Sequence, residues 1–560
     1  MKCSLRIPLG LACIALQLFA QTTSTSILGN VTDPQGAAVA NANVIVRNVD
    51  TGVVTRTVTT ETGDYTVPLL NVGNYEVTVE AAGFKSVSRS GIRLQINDRQ
   101  RVDFQLEIGA QSERVTVTAE IAALRTDEAS TGGVVEQRRL VELPLNGRNV
   151  GNVAVLNPGV QFGSRGGYDG ISGTGGGIPI PGQTIAIVAN GQREVNQHAT
   201  LDGVVATESR VNTVPFSPSP EAMQEVQVLT GSYSAEYGFN SGAQLIMVMR
   251  SGTNDFHGAA YNFLRNEKLD AEGFFQNYFT PPGAPRVPKT ALRQNQFGVV
   301  AGGPVYIPKL YDGRNRTFFM FNYEGRRRRE PGAISTGLVP TDEFRRGDFS
   351  ALLNRRNAAG ESLPPIQIID PTSSPDAPTP FPNNIIPESR IVPAARALME
   401  YWPRAQNPLP DPISGINFRN PGTNSIDDNQ YFLKVDHVIS SNDRVFARYA
   451  TNLPSWFSIT NNPNFSYLVE GRNNNVATQW LHMFSPTIIN EARFGFTESI
   501  DDSFNPRANT DFTLESIGIT GFTVLTDGNR PLTPREVGIP SMNVAGFMGL
   551  AERDGGNGFD

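Results

Sequence analysis

Histidine, a residue type that often carries enzyme chemistry, is rare in this sequence, and its copies lie far apart. No two of its four histidines have metal-ligand spacing, and no H-E-x-x-H motif occurs. His198 stands four residues before Asp202, where we expect a structural hydrogen bond rather than an acid–base pair. The sequence therefore predicts no catalytic site, no metal site and no cofactor. The histidines are His198, His257, His437 and His482.

Both cysteines lie in the first segment, which has the pattern of an export signal. Basic residues precede an apolar stretch at 7–19, and polar residues follow Ala20. We expect residues 1–20 to be a signal peptide cleaved near Ala20. A lipoprotein anchored through Cys13 is the alternative, although a glycine stands three residues before it, where an aliphatic residue is usual. Removal of this segment, which contains Cys3 and Cys13, leaves no thiol or disulfide chemistry.

Two further features bear on binding. The net charge is −7, which excludes a global basic field for nucleic acid. The glycine-rich run at 163–177 lacks the Gly-Lys-Ser/Thr ending of a phosphate-binding loop, so it predicts a flexible loop instead.

Four consecutive arginines, Arg326, Arg327, Arg328 and Arg329, follow an aromatic run at 318–323. The simpler interpretation is a solvated strand end. If the strand runs outward through a membrane, the arginines reach lipopolysaccharide phosphates, which guanidinium groups bind in a bidentate manner. Unchanged lipopolysaccharide binding after substitution of all four by Gln would exclude that contact.

The secondary-structure elements predicted for this chain are mainly β-strands. From 26 to 108, apolar and polar residues alternate with a period of two between Gly- and Asp-rich turns, which predicts a small β-sandwich over residues 21–108. The aromatic residues Tyr65, Tyr75 and Phe84 are expected in its core or turns. The segments 27–33, 42–46, 62–65, 73–79 and 82–84 resemble the carboxypeptidase regulatory-like domain, which implies a prealbumin-like sandwich and a possible carbohydrate-binding role.

A short β-prone run, Arg114, Val115, Thr116, Val117, Thr118 and Ala119, lies in a linker predicted at 109–125. It is either a last strand of the sandwich or a segment that resembles the Ton box, which adds a strand to the energising partner TonB. Its place before the next domain favours the Ton box.

An ordered set of motifs follows in residues 126–252. It is similar to the plug domain of TonB-dependent outer-membrane receptors, and its variant is most like the Oar-like branch. A helix is expected to start at Ser219, with Pro220 and Glu221 in its first turn. The motifs lie at 143–149, 156–160, 185–191, 201–204, 220–228, 233–238 and 242–248.

The remainder, 253–560, has the alternation of an outer-membrane barrel, with one apolar or aromatic face expected outward, toward lipid, and one polar face toward the lumen, as at Tyr261, Lys434 and Phe494. Turns near 440–443 and 485–487 are short, whereas 331–428 forms a long insertion. We place about seven strands, while plugged transporters need about 22, so an incomplete barrel is expected. The strands are 257–265, 293–302, 316–325, 429–439, 443–452, 474–484 and 488–500.

Together these features predict a mainly β protein with a sandwich, an α+β plug and the first part of a transmembrane antiparallel barrel. The resemblance implies a non-enzymatic outer-membrane receptor that imports a substrate with energy from TonB, the sandwich and Ton box being periplasmic. The alternative function is a non-transporting adhesion or carbohydrate-binding surface protein.

Overall fold

A computed structural model describes residues 25–109, 114–118, 130–163, 185–209, 212–237, 239–272, 289, 291–458, 462–485, 488–504, 507, 510–521, 537–539 and 542–550. The predicted signal peptide, Ala119 and all but the first residue of the glycine-rich run lie outside them. In the part of the chain that the structure describes, no helix combines the length and the apolarity needed to cross a membrane.

The N-terminal unit, residues 25–118, is a sandwich of two sheets with strand orders β4-β1-β7 (β8 also pairs with β1) and β3-β2-β5-β6-β9. Alternate residues of its strands are buried against the other sheet, as the period of two requires. Its strands are β1 (Thr25–Thr32), β2 (Asn43–Asn48), β3 (Val54–Val58), β4 (Asp64–Leu70), β5 (Gly73–Glu80), β6 (Ser86–Leu94), β7 (Arg99–Arg101), β8 (Phe104–Gln105) and β9 (Arg114–Thr118).

The predicted aromatic residues of the sandwich contribute to its core. Tyr65 and Tyr75 are buried, and their hydroxyls donate to the carbonyls of Val102 (2.6 Å) and Asn71 (2.7 Å). Phe84 packs against the same core. These rings therefore form no exposed platform for a sugar.

The middle unit, residues 130–249, is a five-stranded sheet of order β10-β15-β16-β13-β14 with a separate β11-β12 pair. A two-residue Asp-Gly turn joins β13 to β14, and both of its residues have positive φ (Asp202 49°, Gly203 75°), as such hairpin turns require. Its elements are β10 (Thr131–Glu136), α1 (Gln137–Glu142), β11 (Val160–Phe162), β12 (Ile187–Ala189), β13 (His198–Leu201), β14 (Val204–Val205), β15 (Met223–Gly231) and β16 (Gln244–Met249).

The helix predicted to start at Ser219 is only a three-residue 3-10 turn, Pro220–Ala222. The predicted start is confirmed, with Ser219 at the N-cap position and Pro220 and Glu221 in the first turn. The helix is short because β15 begins directly afterwards, with Met223 buried in the core of the middle unit. The Ser219 hydroxyl does not cap the turn but donates to Asn322 Oδ1 at 3.0 Å.

The third unit is a seven-stranded antiparallel sheet, β17-β18-β21-β22-β23-β24-β25, whose neighbours in the sheet are neighbours in sequence apart from a small β19-β20 hairpin. All seven predicted strands are present. Two short helices, α2 (Asp342–Arg345) and α3 (Pro393–Met399), lie between β21 and β22. The strands are β17 (His257–Asn266), β18 (Arg293–Pro304), β19 (Tyr306–Ile307), β20 (Tyr311–Asp312), β21 (Thr317–Gly337), β22 (Phe418–Val438), β23 (Asp443–Ser458), β24 (Tyr467–Ser485) and β25 (Ile488–Phe504).

Four of these strands, β21 to β24, extend well beyond the predicted bounds, so the long insertion shrinks to 338–417. Their far ends carry charged residues on both faces, such as Arg327 paired across the sheet with Asp427 and Arg326 with Asp428. This composition hides the alternation that marks the rest of each strand.

Candidate functional site

The inner face of the seven-stranded sheet holds the Asp-Gly turn of the middle unit through buried charges. The Asp202 carboxylate lies 3.1 Å from Lys434 Nζ on β22 and 3.1 Å from Arg448 Nε on β23. All three side chains are less than 8% exposed. We call Asp202, Lys434 and Arg448 the Asp202 cluster.

Backbone carbonyls of the same turn accept further hydrogen bonds from the sheet. Arg448 Nη2 donates to Leu201 O at 3.1 Å, and Arg493 Nη1 on β25 donates to Gly203 O at 3.2 Å. The Val205 carbonyl accepts from Asn475 Nδ2 (2.9 Å) and Thr497 Oγ1 (2.6 Å). The turn is thus bound by strands β22 to β25, which fixes its position relative to the sheet.

A second set of charges joins the middle unit to β21. Arg148 forms an ion pair with Glu221 beside the 3-10 turn, and its Nε lies 3.6 Å from Glu324 Oε2 on β21. We call Arg148, Glu221 and Glu324 the Arg148 cluster. Gly147 and Arg148 both have positive φ (65° and 58°), so the Asn-Gly-Arg turn directs the guanidinium away from its own backbone toward the sheet.

Two aromatic rings of β17 cover the Arg148 guanidinium. Its carbon lies 4.9 Å from the ring centroid of Tyr261 and 4.0 Å from that of Phe263, within cation–π range. The Tyr261 hydroxyl donates to Glu324 Oε2 at 3.0 Å. The prediction that the aromatic face of this strand points outward is wrong at β17, since both rings turn inward to Arg148.

The sandwich also contacts the middle unit, through the turn at 95–98. The Ile96 amide donates to Glu225 Oε2 at 2.8 Å, and Asn97 Nδ2 donates to Gln227 Oε1 at 2.8 Å. The Ile96 side chain is buried with residues of the middle unit, including Leu229. Burial raises the pKa of the Glu225 carboxyl to about 7, although the Ile96 amide and a nearby arginine favour its charged form.

The family model for the outer membrane beta barrel domain matches residues 248–560, more than half of the chain. The chain belongs to this family. A second model, the carboxypeptidase regulatory-like domain, matches residues 26–107, within the sandwich. The seven-stranded sheet is therefore the barrel sheet of this family, and its inner face is the one that carries the two clusters.

Three known proteins resemble the chain. The TonB-dependent transporter Oar of Myxococcus xanthus is 27% identical over 298 residues, 52% of this chain and 26% of the relative, so the chain spans about a quarter of that relative. The outer-membrane transporter YddB from Escherichia coli is 9% identical with a TM-score of 0.40, over 67% of this chain and 40% of the transporter. The ferric enterobactin receptor PfeA from Pseudomonas aeruginosa is 10% identical with a TM-score of 0.33, over 67% of this chain and 41% of the receptor.

The barrel sheet separates the four consecutive arginines. Arg326 and Arg328 are buried on the inner face, where they lie near Asp428 (3.8 Å) and Glu330 (2.5 Å) respectively. These two cannot contact lipopolysaccharide, because alternate residues of a strand point to opposite faces. Arg327 and Arg329 are partly exposed beside Asp427, and for them the contact stays a prediction.

The predicted Ton-box segment has a backbone position in the structure. Residues Arg114–Thr118 form β9, which pairs in parallel with β6 at the edge of the sandwich sheet. This placement matches the alternative in which the run is a strand of the sandwich. It also leaves the other edge of β9 without a strand partner among the described residues.

The predicted hydrogen bond between His198 and Asp202 is wrong. Neither ring nitrogen of His198 has a hydrogen-bond partner among the described residues, and burial lowers its pKa to about 4. The ring instead lies 4.9 Å from that of Phe239. The positive φ of Asp202 turns its carboxylate toward the barrel sheet, where two cations take up its oxygens.

The residues that hold the middle unit were largely missed from sequence. Lys434 and Arg493 were recognised only as members of a polar face, and Arg148, Glu324 and Arg448 were given no role. One signal was available, namely a charged residue between two apolar ones on a membrane strand, as Arg448 stands between Ala447 and Tyr449. Such a charge needs a partner on the inner side.

The contact between Glu225 and the sandwich predicts a pH-dependent stability. The folded state keeps a proton on Glu225 up to about pH 7, whereas the unfolded chain releases it near 4.5, so stability falls as pH rises through this window. Glu225→Gln keeps an acceptor for the Ile96 amide without the charge. We expect Glu225→Gln to raise the Tm relative to the wild type at pH 8 and to have little effect below pH 4.5.

The full effect corresponds to about 3 kcal/mol, since each pKa unit is worth about 1.4 kcal/mol. Thermal unfolding between pH 4 and 8 measures it, with the exposed Glu61→Gln as the matched control that leaves the profile unchanged. Parallel profiles for wild type and Glu225→Gln would contradict the assignment.

Proposed function

We propose that this chain is part of a TonB-dependent outer-membrane receptor, in which the middle unit is the plug of the barrel and a substrate enters from the cell surface. The observation that carries the proposal is the pair of buried charge clusters that fasten the middle unit to the inner face of the barrel sheet. A middle unit held in this way blocks the lumen of the barrel until it is displaced. The likeness to the transporter Oar supports the same function.

In this proposal, energy reaches the plug through β9. This strand is the last of the sandwich and directly precedes β10, the first strand of the plug, in the chain. Its other edge has no strand partner among the described residues, so a strand of TonB can add there, and the force is then carried along the chain into the plug. Substrate contacts are assigned to the far side of the barrel, where the insertion at 338–417 lies. No enzymatic step is part of the proposal.

The test is the binding of the chain to the periplasmic domain of TonB. Val117→Pro removes a backbone donor from β9 and should weaken this binding at least tenfold, because strand addition depends on backbone hydrogen bonds. Val58→Pro is the matched control, since β3 forms the opposite edge of the same sheet. Calorimetry measures both variants, and equal affinities for the wild type and Val117→Pro would refute the Ton-box assignment.

Adhesion or carbohydrate binding without transport is the competing function. No described contact favours it, because Tyr65 and Tyr75 are used in the sandwich core. Deletion of 114–119 in a full-length protein separates the two functions: uptake is lost with surface display intact if the protein transports, and nothing changes if it is an adhesin.

A further inference from the structure

We propose that the N-terminal sandwich is a gate that closes the periplasmic mouth of the barrel. The inference rests on the proposed transport function and goes beyond it, since it assigns the sandwich a task separate from that of the plug. Three observations support it: where the sandwich touches the barrel, how it is bound to the plug, and the cavity that lies between the units.

The sandwich meets the barrel at the end with short turns. Asn254, just before β17, donates from Nδ2 to Thr51 O at 2.7 Å and from its amide to Asp50 O at 3.1 Å. Arg444, at the start of β23, donates to the Thr55 hydroxyl. Short turns mark the periplasmic side of outer-membrane barrels, and the long insertion at 338–417 leaves from the opposite end.

The sandwich contacts the plug through residues that lie outside its own hydrophobic core. Ile96 belongs to a hydrophobic cluster with Leu229, Tyr237 and Ile246 of the plug, whereas the sandwich core is a separate cluster. Polar contacts surround it, with Gln95 Nε2 donating to Glu136 Oε1 at 3.0 Å and Arg93 paired with Glu136 at 2.8 Å. An apolar anchor ringed by polar contacts is typical of a docking interface between units that also fold apart.

A partly open cavity of about 160 Å³ lies where the three units meet. Its wall includes polar and charged groups from the inner face of the barrel sheet and residues of the sandwich. The lining residues include Asn48 and Tyr75 of the sandwich, Met249 and Ser251 at the end of the plug, and Lys434 and Arg444 of the barrel.

The sandwich is connected to β9, the strand on which TonB is proposed to act. β9 pairs with β6, and β6 pairs with β5, the strand that carries the cavity-lining Tyr75. A force applied to β9 therefore loads the sandwich sheet before it reaches the plug. Displacement of the sandwich breaks its contacts with Asn254 and Arg444 and opens the cavity to the periplasm.

Cysteine accessibility tests the gate without knowledge of the substrate. A reporter, Met249→Cys, at a buried position that lines the cavity, is placed in the whole chain on a Cys3→Ser, Cys13→Ser background and labelled with a polar maleimide. Ile96→Asp puts a charge into the buried anchor and should release the sandwich, raising the labelling rate at least tenfold. Ile108→Asp, at an exposed position of the sandwich, is the matched control and should keep the slow rate.

An unchanged labelling rate in folded Ile96→Asp protein, judged by an unaltered thermal transition of the sandwich, would overturn the proposal. If Ile96→Asp does not fold, Asn254→Ala decides, because it removes the bond to Thr51 O and two bonds to Asn315 without a change inside the sandwich. A faster rate supports the gate and a wild-type rate refutes it. TonB binding is measured in a separate experiment. If the chain does not bind TonB, the proposed transport function is refuted, whereas the labelling rates still show whether the sandwich protects the reporter.

Discussion

Replacement of Asp202 by Ala is expected to destabilise the folded chain by about 3–5 kcal/mol. The substitution leaves the Lys434 ammonium and the Arg448 guanidinium buried side by side, with their shared carboxylate gone. It also removes the acceptor for the Met249 amide. Chemical denaturation of the chain in detergent, followed by tryptophan fluorescence, measures the loss.

Two further variants show whether the uncompensated charge is the cause. Glu142→Ala breaks the exposed pair between Arg138 and Glu142 and should cost less than about 1 kcal/mol. The triple variant Asp202→Ala, Lys434→Met, Arg448→Met should recover part of the loss, because no charge remains unpaired. A loss below about 1 kcal/mol for Asp202→Ala alone would mean that water reaches the cluster and that the clamp on the turn is weak.

Replacement of Arg148 by Leu should have the second large effect. Glu221 and Glu324 then lose the cation that lies between them, with only Arg250 left near Glu221, and the Tyr261 and Phe263 rings lose the guanidinium that they cover. The expected cost is again about 3–5 kcal/mol at neutral pH. The same denaturation experiment measures it.

Two further variants separate the repulsion between the two carboxylates from the loss of packing around Arg148. Arg138→Leu, at an exposed pair, serves as the control of the same residue type and should leave the stability almost unchanged. Adding Glu324→Gln to Arg148→Leu removes one of the two facing carboxylates and should restore part of the stability. If the double variant is no more stable than Arg148→Leu, repulsion between the carboxylates is not the cause.

Most strands of the chain could be predicted from local pattern. The alternation around Leu433 and Phe494 indicates which side of a strand meets an apolar medium. This pattern can be read from a few neighbouring residues, without knowledge of distant parts of the chain. The Asp202-Gly203 turn was equally readable, since few residue pairs accept positive φ at both positions. Strand ends were missed where charges occupy both faces, as at Arg327 and Asp427.

The errors share one cause, which is that local sequence carries no information about distant partners. The Ser219 hydroxyl looked like a helix cap but bonds to Asn322, more than a hundred residues away. His198 looked like the partner of Asp202, yet the carboxylate turns to Lys434 and Arg448. Arg326 looked like its exposed neighbours, although its side chain points into the barrel.

The sequence by itself therefore determined that this protein has few histidines and cysteines, that it consists mainly of β-strands, and which outer-membrane family its motifs resemble. Periodicity and turn chemistry are local properties, and short segments suffice to read them. Only the tertiary structure decided which charges are buried together. Asp202 and Lys434 are 232 residues apart, and a charge without its partner could not stay in that interior. The same folding placed the 114–118 run, which from sequence alone had two interpretations, at the edge of the sandwich sheet.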